Sequence, residues 1–326
     1  MRREDGSGRI RSIRRKAIVT EDRGDQMREP VAVGKRSESG FILVAVLWIL
    51  AALAILASIY AVYARNMVAA ARVHDDRLVA EALINAATEL TVYRLTMSAE
   101  GEPNTKGTFA FRSGLSQIAV AFSPETARID INAAPKELLA GLFATLGAKP
   151  EDAVYYSERI IGWRTRAKAD GDNEEASAYR TAGLRYKPRQ APFQNVGELW
   201  LVLGLPSVLV EHALPFLTVF SGRPQIDAAS AAPEVIAALS GMTSDRLYAI
   251  LAQRSSDPEN EKALQQLLGS AAAGTTAEAG KTTRIDIRVN LDTGRQVNAD
   301  IVILLLEDGD EPYRVLAWHD DFDSTN

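Results

Sequence analysis

The chain contains no cysteine, which excludes structural disulfides and thiolate metal sites, although that absence does not by itself identify a compartment. Histidine is nearly as scarce: His74, His212 and His319 are scattered, and no His-x-x-x-His, Gly-x-Ser-x-Gly or phosphate-cradling glycine motif occurs. No catalytic constellation is present, and His319 in WHDDF reads as an exposed neighbour of the last strand. Basic charge is lacking where a nucleic-acid binder needs it. Of 37 Lys and Arg and 42 Asp and Glu, residues 1–40 hold 11 and 7, leaving 26 basic against 35 acidic side chains for the rest. A surface of that sign repels phosphate backbones, so nucleic acid is not an expected partner. Helix breakers are missing too, with no Gly or Pro between Phe41 and Gly101.

What is present is a chain of 326 residues, 47% hydrophobic and 24% charged, enough for about two domains with a sizeable core. Phe41 to Ala64 is a run without a charge, FILVAVLWILAALAILASIYAVYA. At about 1.5 Å per residue it would extend roughly 36 Å, more than the hydrocarbon thickness of about 30 Å. The run exceeds the apolar region of a secretory signal peptide, about 7 to 15 residues. Lys35, Arg36 and the basic excess before the run favour a cytoplasmic N-terminus, with the body outside the cytoplasm. The first 39 residues are polar with no apolar period, which is the composition of disorder, and Met1 and Met27 are alternative starts.

Beyond Ala64 the helical period continues. Val79, Leu83, Ala86 with Ala87, and Leu90 recur at threes and fours among Arg72, Asp75, Asp76, Arg77 and Glu81. One helix over 41–97 is predicted, with 41–64 transmembrane and 65–97 amphipathic. TFAF, QIAVAF and ARIDI then read as short strands of an antiparallel sheet. Helical patterns follow in PKELLAGLFATLG, EDAVYYSERIIGWR and VGELWLVLGLP, where Trp200 and Leu201 are expected in the core, and again from Pro233 to about Leu268. Between the second and third of these lies a polar stretch, residues 165–192, read as a loop. Sheet returns in RIDIRVN, NADIVILLLE and YRVLAWHD. The fold class is therefore α+β. The expected divisions are residues 1–40, the helix 41–97, a sheet domain of 98–131 with 282–326, and an inserted helical domain 132–281.

An internal repeat lies within that insertion. A shift of 97 residues lays IDINAAPKELLAGL (129–142) on IDAASAAPEVIAAL (226–239), with Ile129/Ile226, Asp130/Asp227, Ala134/Ala231, Glu137/Glu234, Ala140/Ala237 and Leu142/Leu239 identical. Each copy places a Pro before an amphipathic helix, as a helix start prefers. Two related units, 129–220 and 226–270, are expected. INAAPKELLAGLFATLGAKPEDAVYYSERI is similar to a helix-hairpin-helix. Only Gly147 is present in its turn, and Glu151 and Asp152 follow, so packing between helices is its expected role.

SGFILVAVLWILAALAILASIYAVYARN resembles the N-terminus of type IV pilin-like proteins. That resemblance implies cutting by a prepilin peptidase after Gly40, removal of residues 1–40 as a leader, and methylation of the new N-terminal Phe41. FILVAVLWILA, the paired IDINAAPKELL and IDAASAAPEVI segments, YRTAGLRYKPRQAPFQNVGELWLVLGL (179–205) and YRVLAWHD together resemble the general secretion pathway protein K family. These are the K-type minor pseudopilins of type II secretion. The resemblance covers most of residues 40–320 and implies a pilin-like fold: a long N-terminal helix packed on an antiparallel sheet, with a large helix-hairpin-helix or SAM-like insertion.

Most pilin-like proteins carry Glu at the fifth mature position, paired with the N-terminal amine of a neighbouring subunit; here that position is Ala45. By resemblance, a K-type subunit without that carboxylate sits at the pseudopilus tip. There it initiates assembly and export of folded proteins across the outer membrane, with I- and J-type minor pseudopilins as partners and secreted cargo as a further contact. The implied location is the inner membrane, single-pass, with the C-terminal domain periplasmic. No enzymatic activity is expected.

Two other readings stay open: an unprocessed membrane-anchored periplasmic binding module, and a minor pilin of a type IV pilus or DNA-uptake system. No cofactor is certain, but the family implies calcium near residues 163–179. The family's acids after Trp are replaced here by Thr165 and Ala167. Glu175 matches the family's Glu, and Asp170 and Asp172 are candidates to stand in for the missing ligands.

Overall fold

The computed structural model describes residues 39–97, 105–166, 174–258, 260–278, 280–306 and 311–322. Residues 1–38 of the expected leader 1–40 and the candidate ligands Asp170 and Asp172 lie outside these residues. The chain divides into two compact units, one ending at Asn66 and one beginning at Met67.

A single helix, α1 (Ser39–Thr96), runs through both. In the first unit its side chains are exposed almost throughout, and by length and composition it is able to cross a membrane. In the second unit the helix acquires a buried stripe: Ala80, Leu83, Ile84, Ala87, Thr88, Thr91, Val92 and Leu95. That stripe lies one residue round from the expected one, since Val79 and Ala86 are exposed. Small and β-branched side chains at 80, 84, 87 and 92 let the helix sit close to a sheet, and the Thr88 and Thr91 hydroxyls bond back to Ile84 O and Ala87 O.

The sheet has five antiparallel strands, β1 (Gly107–Ser113), β2 (Ser116–Pro124), β5 (Thr282–Asn290), β6 (Gln296–Leu305) and β7 (Tyr313–Asp320), in the order β1-β2-β5-β6-β7. Gly114, at φ +60°, makes the two-residue turn between β1 and β2. Ile118, Val120, Phe122, Ile285, Ile287, Val289, Ile301 and Ile303 alternate onto the α1 side and form one core with it. The edges are tied to the helix by polar and aromatic contacts: the Arg94 guanidinium lies 4.1 Å over the Phe109 ring, and Tyr313 donates to Glu89 at 2.7 Å.

Between β2 and β5 the chain builds a second, separate core. It comprises α2 (Lys136–Thr145), α3 (Pro150–Arg164), α4 (Glu174–Thr181), α5 (Ser207–Ala213), α6 (Pro233–Ala237), α7 (Ser244–Ser256) and α8 (Glu261–Leu268). Leu139, Leu142, Phe143, Ile160, Tyr179, Leu199, Val235, Ile236 and Leu268 are among its fully packed side chains.

Several expectations are corrected here. ARIDI is not a strand of the antiparallel sheet: only Ile129–Asp130 (β3) is extended, and it pairs in parallel with Leu217–Thr218 (β4). The chain leaves the main sheet at Pro124 and makes a buried 3-10 turn over Glu125–Ala127, which carries β3 into the second core. The polar stretch 165–192 contains α4, because Tyr179 and Glu175, four apart, both turn inward. ELWL is a 3-10 turn rather than a helix. Its tight winding buries Leu199 and Val202 and turns Trp200 (48%) and Leu201 (43%) outward. The stretch 233–268 breaks into three helices at Gly241, held at φ +76°, and at Asp257.

The repeat is realised atom by atom. Asp130 Oδ1 accepts from Asn132 N–H at 2.8 Å, and Asp227 Oδ1 accepts from Ala229 N–H at 2.9 Å. In each copy the two following amides bond back to the Asp carbonyl. An arginine from a later helix then caps each turn. Arg164 donates to Ile131 O and, at 2.7 Å, to Ala134 O; Arg254 donates to Ala231 O at 2.7 Å.

Candidate assembly interface

Three places carry the candidate functional residues. The first is the start of α1. Gly40 and Phe41 are adjacent at its beginning, Phe41 is exposed, and Ala45 follows one turn later as a half-buried methyl.

The second is α1 within the second unit. Opposite the stripe that faces the sheet, Val79, Ala82, Ala86, Leu90 and Tyr93 recur at intervals of three and four. All are exposed except Leu90, which is half-buried. A helix turns about 100° per residue, so these five form a second apolar stripe on the far side from Ala80, Ile84, Ala87 and Thr91. The two alanines at its centre leave a shallow, small-residue seat in which another helix could approach closely.

The third is the Glu175 region. Thr165 closes α3, its hydroxyl donating to Ile161 O, and so is occupied as a helix end rather than aimed at a loop. Glu175 is buried in the first turn of α4, and Arg159 reaches it at 3.1 Å. Gly162 allows this seat: a Cβ there would stand 2.6 Å from Glu175 Oε2. Burial raises the Glu175 carboxyl above its ordinary range, and Arg159 opposes that rise. Tyr179, one helical turn on, is enclosed; its oxygen accepts from Leu203 N–H at 2.8 Å, and burial pushes it up to about 12. Among the described residues no group of three or more His, Asp or Glu comes together to hold a metal. One buried carboxylate already paired with Arg159 is not, alone, a hard-cation site.

The periodicity placed the helix, but the stripe that the sheet covers lies one residue round from the expected one. Both stripes are apolar, so a one-dimensional pattern does not distinguish the face that meets the sheet. Glu125, Arg284 and Thr218, described below, carried no motif.

Comparison with known proteins agrees with this architecture. Residues 117–222 match the family model described as type II secretion system (T2SS), protein K. The fold is similar to that of a chain in the crystal structure of the GspK-GspI-GspJ complex from the enterotoxigenic Escherichia coli type 2 secretion system. The TM-score is 0.56 at 15% identity, over 76% of this chain and 98% of that one. No curated protein sequence matches. The stretch matched by that model runs from β2 through the first helical unit, and the likeness to the solved structure extends to the long helix, the five-stranded sheet and the helical insertion.

Proposed function

We propose that the protein is a K-type minor pseudopilin that caps the type II secretion pseudopilus. The observation that carries this reading is the two-faced α1: one apolar stripe is consumed by the protein's own sheet, and a second, around Ala82 and Ala86, is left for another helix. In the proposed assembly a prepilin peptidase cuts after Gly40, Phe41 is methylated, and residues 41–64 sit in the inner membrane with the leader cytoplasmic and the body periplasmic. I- and J-type minor pseudopilins then cover the second stripe, as the GspI and GspJ chains named with the similar structure suggest. The cap helps initiate assembly and the export of folded proteins, and touches cargo.

Ala45 supports the terminal position. An uncompensated charge within a bilayer costs about 2.5 to 3.5 kcal/mol on insertion scales, so an amine entering above a subunit without the fifth-position carboxylate is disfavoured. Mass spectrometry of the membrane-extracted protein tests the processing step: the expected mature mass begins at methylated Phe41, and an intact leader on assembled protein ends the pilin reading. Immunolabelling along isolated pseudopili, rather than at one end, would end the tip assignment.

Calcium is a separate proposal. It rests on Asp170 and Asp172 joining Glu175, with Arg159 giving way. Calorimetric titration of the protein with millimolar calcium chloride should show heat that D170N/D172N abolishes; absence of heat in the unaltered protein removes the metal.

A further inference from the structure

The inserted domain hangs from the sheet by a narrow neck. The chain leaves at the end of β2 and returns at the start of β5, and these ends are register partners, Pro124 beside Thr283. The two apolar cores on either side of that neck share no residue. A pair of adjacent strands joining two separately packed bodies is the geometry of a hinge. Here the space is filled instead by directional polar contacts.

Glu125, the first residue beyond β2, is fully buried. Its Oε1 accepts from Arg284 Nε of β5 at 2.7 Å and lies 3.7 Å from Arg128, and its Oε2 accepts from the Thr218 hydroxyl of β4. Arg284 continues to Asp300 of β6 at 2.6 Å, and Arg128 Nε donates to Pro215 O at 3.1 Å. Two further bonds cross beside it: Asp227 N–H to Thr126 O at 2.7 Å, and the Thr282 hydroxyl to Phe220 O at 3.1 Å. Burial works against the charge of Arg284, and Glu125, Asp300 and Asp286 together more than restore it.

We infer that the Glu125–Arg284 pair is a latch that sets the angle of the helical insertion on the sheet, holding rigid a neck that would otherwise bend. Each carboxylate oxygen of Glu125 is claimed by a different body. Arg284 belongs to the sheet and Thr218 to the insertion, so the side chain reads the position of both at once. Replacing an ion pair enclosed in this way by an apolar pair of similar volume is often neutral or stabilising, so the role assigned to this pair is geometric. That difference makes the role testable, and it does not depend on the assembly reading.

The experiment is hydrogen exchange on the full chain in detergent micelles, comparing the native protein with E125L/R284M and with the conservative E125Q. With the latch removed, the neck amides of Arg128 and Asp227 should exchange about tenfold faster, while amides within β5 and β6 stay within about twofold. Unchanged neck exchange overturns the inference, as does a uniform acceleration across both bodies, which would make the pair a plain stability element. If the double variant fails to fold, E125Q alone decides by the same two comparisons.

Discussion

Gly141 of α2 faces the end of α6 so closely that a Cβ there would stand 2.9 Å from the carbonyl carbon of Ala238 and closer still to its oxygen. Position 238 is also 97 residues beyond 141, the offset of the internal repeat, so equivalent helices of the two copies meet at equivalent positions. Backbone, unlike a long side chain, has no rotamer in which to retreat. G141A is therefore expected to destabilise the protein by about 3 kcal/mol, read as a lowered denaturant midpoint at constant slope. A loss below about 0.5 kcal/mol would mean that the two helices are not held at this distance. Asp130 and Asp227, with their paired Asx turns, were legible in the repeat. Their capping arginines were not, because Arg164 lies 30 residues beyond Ala134 whereas Arg254 lies 23 beyond Ala231, outside the shared offset. Trp200 and Leu201 show the opposite failure: an apolar pair read as core is turned outward by the tight winding of a 3-10 turn.

The long helix separates two roles that hydropathy alone blends. Ile84 is fully buried against the sheet, whereas Ala86, two residues on, is exposed in the second stripe. I84A should cost about 3 kcal/mol of stability through the cavity it leaves. A86R should change stability by less than about 0.5 kcal/mol, since its long side chain enters solvent. In co-purification with I- and J-type minor pseudopilins the order reverses: A86R should abolish recovery of the complex. An A86R protein that still recovers both partners at native levels would show that the second stripe is not where they bind. The existence and length of α1 followed from the absence of Gly and Pro over 41–97, and its membrane-length apolar part from the absence of charge over 41–64, strictly local signals. The choice of stripe did not, because the sheet residues that cover Ala80 and Ile84 come from β2, β5 and β6, far along the chain.

At the scale of the whole body, two packed cores are joined through polar bonds rather than through shared apolar surface. This arrangement explains why the insertion could be recognised from strand-type sequence on both of its sides, yet its attachment could not. Hydropathy marks each core by itself and is silent about a neck built from Glu125, Arg284 and Thr218. The same holds for β3, whose apolar residues suit either a main-sheet strand or the short parallel pair with β4 that the buried turn at Glu125–Ala127 selects.

Periodicity, charge and the positions of Gly and Pro along the chain were enough to establish a membrane-length helix, an α+β body, an insertion between strands and a duplicated helical unit, because each is written in neighbouring residues. Folding alone decided which apolar stripe of α1 is covered, where β3 pairs and how the insertion is braced. Those outcomes depend on groups 93 and 159 residues apart, as Thr218 and Arg284 are from Glu125. Burial gives such contacts their strength, and no local pattern records it.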